Sequence, residues 1–174
     1  SIGISIILAQ SGMFVPAESF VYKPYTSIFT RILGNDDIFK GLSTFAVEMS
    51  EFRTILRLSD ENSLILGDEL CRGTETNSAI SIFVAGLSIL HEKKSTFIFA
   101  THFHEIITMK EIRNMDHFAI KHMKVKFNAE KNKLVYDRKL YDGGGNNMYG
   151  LEVCKSLNLP ENFLRLAMSI RRKP

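Results

Sequence analysis

Cysteine is scarce in this chain. Cys71 and Cys154 are the only two in 174 residues, and neither has a neighbour at metal-ligand spacing. That argues against a disulfide framework or a cysteine metal centre, and points to reduced thiols in an intracellular compartment. Long apolar runs are also missing. The opening stretch, 2–8, is too short to span a bilayer, is interrupted by Ser5, and lacks the basic region of a signal peptide. A membrane partner is therefore not expected. Charge of one sign is not concentrated anywhere. The net charge is +3 with Lys and Arg scattered, and Arg171-Arg172-Lys173 reads as a solvated helix end. Charge alone thus gives no argument for a nucleic-acid surface. Neither an internal repeat nor a low-complexity tract occurs. The chain opens within an apolar run and without Met, as a fragment would.

What is present is ordinary in bulk: 45% apolar and 24% charged residues, on a chain the length of one domain. The informative segment is Ser63-Leu64-Ile65-Leu66-Gly67-Asp68-Glu69, an apolar run that stops at two adjacent carboxylates. Such a run predicts a strand buried in a parallel sheet, with its acids at the carboxyl edge where these sheets bind ligands. One strand ending in an acid can equally be a cap for the next helix. A second run, Thr96-Phe97-Ile98-Phe99-Ala100, ends in Thr101-His102 and strengthens the reading. Two strand ends carrying Asp-Glu and His describe a phosphate site better than either does alone.

The remaining pattern fits an α/β fold. A helix is expected over 1–11, closed by Gly12. Residues 19–22 and 27–33 read as strands, separated by Lys23-Pro24-Tyr25. Phe45, Val47, Met49, Phe52, Ile55 and Leu56 approximate a helical stripe over 45–58. Ser43 or Thr44 is placed to cap that helix, and Glu48 falls near its first turn, where the dipole favours an anion. A helix over 77–91 follows the acid pair and returns to the strand at 96–101, making a βαβ unit. Residues 123–127 alternate cleanly and pair with 134–140 as a hairpin. A glycine-rich link, 142–147, leads to closing helices at 149–157 and 160–172, the second starting at Pro160.

The chemistry follows from residue type. Hydrolysing a nucleoside triphosphate requires neutralising spread negative charge and orienting one water in line with the leaving group. Asp68 is the candidate Mg²⁺ ligand, acting through coordinated water because Mg²⁺ is hard and keeps several waters. Glu69 is the candidate acceptor of the water's proton. His102 is placed to hydrogen-bond the terminal phosphate; its bland reading is a satisfied histidine at a helix start. His91, His104, His117 and His122 have surface or packing settings. Ser43 at a helix start is a possible anion site, but taken alone it reads as a plain cap. One absence counts against a self-contained site. No G-x-x-x-x-G-K-[ST] occurs, nor any Gly-Lys pair, so the principal grip on the β- and γ-phosphates is lacking.

Taken in order, the motifs resemble the ATPase domain of the MutS family of DNA mismatch-recognition proteins, in the ABC-type branch of P-loop ATPases. Gln10-Ser11-Gly12-Met13-Phe14-Val15-Pro16-Ala17 is similar to the segment after the family's P-loop helix. Ile28-Phe29-Thr30-Arg31-Ile32 and Asn35-Asp36-Asp37 resemble the next block. Ser43-Thr44-Phe45 with Glu48-Met49 looks like the signature loop, and Asp68-Glu69 with Arg72-Gly73-Thr74 like the Walker B strand and D-loop. Ala100-Thr101-His102-Phe103 is similar to the switch-histidine motif, and Tyr149-Gly150-Leu151 to the closing block. The resemblance covers essentially the whole chain.

It implies a P-loop NTPase fold of the ABC-ATPase type: a mostly parallel sheet flanked by helices, with a β-hairpin and two C-terminal helices at about 148–172. It also implies ATP and Mg²⁺ as cofactors and a second MutS-like subunit, identical or paralogous, docked head-to-tail. Ser43 and Thr44 would reach the nucleotide bound by that partner, reversing the plain-cap reading of Ser43. Arg72, Gly73, Thr74 and Glu75 would form the D-loop at the dimer. Arg138 falls near a position that stacks on adenine, although a plain strand-surface arginine reads equally well there. Mismatched double-stranded DNA would be held by upstream domains, and dimer closure would make a sliding clamp. The P-loop itself is expected just before Ser1.

Some positions depart from the family pattern. Leu42 stands where Arg is frequent, Cys71 replaces a common Gly, and Glu75-Thr76-Asn77-Ser78-Ala79 replaces a Ser-Thr-rich stretch followed by Asp-Gly. These features look like the branch found in giant viruses and octocoral mitochondria. Two alternatives stay open. One is a non-catalytic dimerisation or regulatory module that has lost its P-loop. The other is a different ABC-type DNA-repair ATPase, disfavoured because Leu42-Ser43-Thr44-Phe45 lacks a Gly-Gly signature.

Overall fold

The computed structural model of the chain describes residues 2–32, 44–71, 73–128, 133–145 and 150–171. They divide into two compact units, Ser1–Met115 and Asp116–Pro174.

The first unit is built on three parallel strands in the order β1 (Ser27–Arg31), β2 (Ser63–Asp68) and β3 (Thr96–Ala100). Helix α2 (Thr44–Leu58) links β1 to β2, and α3 (Thr76–Glu92) links β2 to β3. Helix α1 (Ile2–Gln10) comes first and ends as expected at Gly12, whose φ of +74° suits a residue without Cβ. Beyond β3 lie a 3₁₀ turn (His104–Thr108) and the short α4 (Lys110–Arg113).

Successive side chains on a strand face opposite sides, which fixes how the layers stack. A Cβ on Gly3 of α1 would fall 2.4 Å from Leu66 Cδ1, so α1 lies on the Leu66 face of β2. The Phe99 ring crowds Gly67 on the other face and meets the α3 ring of Phe83 edge-on at 5.6 Å. The sheet is thus covered on both sides, which is why β2 reads as an apolar run rather than an alternation. Helices α2 and α3 close on each other where Gly86 lets the Phe52 ring approach; a Cβ there would sit 2.3 Å from it. Leu64, Ile65, Phe83, Leu87 and Leu90 form the core.

Side-chain hydrogen bonds pin the starts of β2 and β3. Asp60 Oδ1 accepts from the Asn62 backbone N–H (2.9 Å) and from Ser63 Oγ (2.7 Å). Those bonds, the Ser63 hydroxyl first, hold the Asp60 carboxyl below its ordinary pKa. Ser95 Oγ donates to Asp60 O (2.7 Å), and Lys93 Nζ to Ser59 O (2.9 Å). The acids at the far end of β2 therefore sit on strands whose register is fixed from below.

Two expectations need correction here. Residues 19–22 are not a strand: aromatic residues supply β-propensity, but no neighbouring strand among the described residues offers a ladder. Phe20 and Tyr22 instead lean on each other, with ring centroids 5.4 Å apart. The loop is tied down at Tyr25, whose N–H donates to Gln10 Oε1 while Gln10 Nε2 donates to Tyr25 O. Glu48 is also not a dipole partner in a first turn. The first turn of α2 contains no acid, and Glu48 is buried in a network described below.

The second unit is an antiparallel hairpin, β4 (Lys121–Asn128) with β5 (Lys133–Asp142), followed by α5 (Gly150–Ser156) and α6 (Glu161–Arg171). The pairing shifts between Met123, opposite Leu140, and Lys124, opposite Asp137. Arg138 and Lys139 lie in the resulting bulge. Hairpin and helices appear where the alternation and Pro160 placed them. Pro160 stands immediately before the helical residues, contributing only its carbonyl, which accepts from the Leu164 N–H.

Candidate functional site

Strand β2 ends at Asp68, directly across from Ala100 of β3, and the next N–H, that of Glu69, donates to Ala100 O at 2.9 Å. His102 follows two residues after Ala100. The two strand ends thus leave the sheet at the same edge, with the acid pair on the central strand and the imidazole on its neighbour. Asp68 and Glu69 are half-buried and His102 is exposed. Among the described residues, no side-chain hydrogen bond or ion pair occupies the Asp68 carboxylate.

The backbone turns sharply here. Glu69 adopts φ +48° and Cys71 φ +68°, left-handed conformations that non-glycine residues seldom take. At Cys71 this explains why glycine would be the easier residue. The Cys71 side chain is fully buried, and burial, with Glu48 second, pushes its thiol up from an ordinary 9.0 to about 12. It is a packed, protonated thiol.

What holds the turn is Glu48. Its Oε1 accepts the Cys71 N–H at 3.1 Å and lies 3.7 Å from Arg31 Nη2 at the end of β1. Arg31 is buried, donates Nη1–H to Ile32 O (2.8 Å), and brings Nε within 3.2 Å of Glu51 Oε2. That last approach is a charge contact only, because Nε has no aligned hydrogen-bond acceptor. A buried carboxylate so paired avoids the penalty of an isolated charge. Sequence reading missed this network. The available signal was the position of Glu48, which shares a helical stripe with buried Phe52 and Ile55.

His102 is anchored by its successor. Phe103 is buried against Phe83, with centroids 5.9 Å apart, and the His102 ring lies 4.6 Å from the Phe103 ring. Phe103 N–H donates to Thr101 Oγ1 at 3.1 Å, closing a tight turn around the histidine.

The other expected site residues fall as follows. Ser43 and Arg72 lie outside the described residues. Thr44 is the exposed first residue of α2. Gly73 is exposed, with Phe45 at ordinary contact distance from where a Cβ would be, and Thr74 is half-buried. Glu75 is the N-cap of α3, accepting from the N–H groups of Asn77 (2.9 Å) and Ser78 (2.6 Å). Those bonds, led by Ser78, hold its carboxyl below the ordinary range. Arg138 is exposed in the β5 bulge of the second unit.

The donor set suits Mg²⁺ bound in company with a phosphate. No cluster of three or more His, Cys, Asp or Glu side chains among the described residues could cage an ion. Mg²⁺ needs only one or two carboxylates beside phosphate oxygens and water, and Asp68 and Glu69 offer hard oxygens. None of the described helices is long and apolar enough to cross a membrane.

Known proteins match this chain along nearly its whole length. Residues 1–173 match MutS domain V. A mutS homologue of Acanthamoeba polyphaga mimivirus, named for DNA mismatch repair, is 42% identical over 176 residues, covering 99% of this chain and 16% of the relative. The mitochondrial DNA mismatch repair protein mutS homolog of the octocoral Sarcophyton glaucum is 40% identical, covering 99% of the chain and 17% of the relative. The DNA mismatch repair protein MutS of Clostridium botulinum is 37% identical, covering 97% and 18%. The chain thus spans less than a fifth of the length of these relatives. Matched along nearly its whole length, with a P-loop-ATPase-like α/β unit and a trailing hairpin, the chain belongs to the MutS family as its domain V.

Proposed function

We propose that this chain is the ATP-hydrolysing part of a MutS-type mismatch-repair protein. The reading rests above all on the register of β2 and β3, which sets Asp68, Glu69 and His102 on adjacent strand ends at one sheet edge. In this reading Asp68 holds Mg²⁺ through water, and the ion neutralises charge on the triphosphate. Glu69 accepts the proton of the attacking water, and the left-handed turn that carries it fixes its orientation. His102 donates a hydrogen bond to the terminal phosphate from a backbone anchored by buried Phe103.

Thr44, the first residue of α2, and its sequence neighbour Ser43 would contact nucleotide held by a second MutS-like subunit, and Arg72, Gly73 and Thr74 would meet that subunit. Glu75 contributes there through its cap, by fixing where α3 begins. Arg138 would stack on the adenine, re-aimed by the bulge it occupies. Nucleotide binding can favour a closed dimer only because it touches both halves in that state. Closure would convert mismatch-bound protein to a sliding clamp, the DNA being held by other domains.

In the full-length protein, Glu69→Gln is expected to lower ATP turnover by about a hundredfold or more while leaving nucleotide binding intact. Wild-type turnover would remove Glu69 from the role. A non-catalytic dimerisation module is the second reading. Failure of the full-length protein to bind ATP would establish it.

A further inference from the structure

Glu48 touches three separate pieces of the sheet unit. It stands on α2, pairs with Arg31 at the end of β1, and accepts the N–H of Cys71, two residues beyond Glu69. The turn it grips holds two non-glycine residues in left-handed backbone, at Glu69 and Cys71. Such conformations persist only where the surroundings over-determine them. The Glu48 carboxylate accepts the N–H of Cys71, at the end of that turn, directly from its side chain.

From this geometry we infer that Glu48 is a positioning residue for hydrolysis: it clamps the Glu69–Cys71 turn and so aims the Glu69 carboxylate. Arg31 serves the same end by holding the Glu48 side chain in place in a buried setting. The inference rests on Glu69 being the proton acceptor. It adds a residue that touches neither nucleotide nor metal. A glutamate that only stabilised the fold would be replaceable by any change that restores stability. One that aims the turn needs an oxygen at the Cys71 N–H.

The test uses the full-length protein and follows kcat, KM for ATP and the thermal melt together. Glu48→Gln keeps an oxygen for Cys71, and its kcat should stay within about threefold of wild type even where the melt falls. Arg31→Met with Glu48→Met removes both charges without leaving either unpaired, so the fold should survive. Its kcat should nevertheless drop about ten- to a hundredfold with KM changed less than about twofold, as expected for a misplaced catalytic group. Wild-type kcat in the double variant, or equal losses in Glu48→Gln and the double variant, would overturn the inference.

Should the double variant not melt cooperatively, Glu48→Asp decides. It keeps the charge beside Arg31 but draws the carboxylate back from Cys71, and a kcat loss of about tenfold is expected. Wild-type kcat there would equally overturn it. Glu69→Gln in the same series separates the two claims. If Glu69→Gln still hydrolyses ATP at the wild-type rate, the reading of the site and this inference fall together. If it is inactive while every Glu48 variant matches wild type, only this inference falls.

Discussion

The sheet unit and the hairpin unit differ in what they bury. Every buried residue among those described lies in Ser1–Met115, from Ser5 to Ile112. None of the described residues from 116 onward is buried. There Phe163, Leu166 and Ile170 lie 48%, 61% and 60% exposed along one stripe of α6, and Met123, Val135 and Leu140 are exposed on the hairpin. A two-stranded hairpin is marginal by itself, and an exposed apolar stripe contributes little to its own unit. The acid pair and His102 are therefore carried by the rigid unit, where a packed sheet can hold side chains to catalytic tolerance. Arg138 sits on the other unit, exposed among residues none of which is buried.

Substitutions should separate the units by size of effect. The largest is Phe83→Ala, which opens a cavity under Phe99 and Phe103 and should cost about 3–5 kcal/mol, read as lost amide-exchange protection in β2 and α3. Gly86→Ala forces a Cβ into the Phe52 ring and should cost about 1–3 kcal/mol by the same reading. Loss of protection confined to the hairpin in either variant would break the comparison.

A subtler effect is set by pH. The buried Cys71 thiol has its pKa raised, so the folded state prefers the protonated form. That contribution is fully present below the unfolded value of 9.0 and is lost as pH rises toward about 12. Urea midpoints should therefore fall between about pH 8 and pH 10.5, and fall less in Cys71→Ala. Equal slopes would contradict the buried-thiol account. The smallest effect is expected from Leu166→Ala, within about 0.5 kcal/mol in α6 protection, because the side chain is already in water. A large loss would show that α6 is covered in the full-length protein.

Much of this was legible because the signals are local. The run 63–68 and the stripe of Ile80, Phe83, Val84, Leu87 and Leu90 encode a strand and a helix by period alone, and the alternation at 123–127 encodes the hairpin. The acids and the histidine were legible as the polar ends of two apolar runs, and the family resemblance agreed with that reading. Residues 19–22 misled because aromatic propensity says nothing about whether a partner strand exists. Glu48 misled for a related reason. At one turn into a helix an acid looks like a dipole partner, and only the fold reveals that Arg31 and the Cys71 N–H converge on it. The left-handed turn is not legible from residue type, since neither Glu69 nor Cys71 is a glycine.

The central claim is that Asp68, Glu69 and His102 serve one magnesium–triphosphate locus. A crystal structure of the full-length Glu69→Gln protein with ATP and Mg²⁺ tests it directly. The account predicts Mg²⁺ linked to Asp68 through water and the His102 imidazole against the terminal phosphate. A triphosphate bound elsewhere, with either side chain turned away from it, would contradict the account.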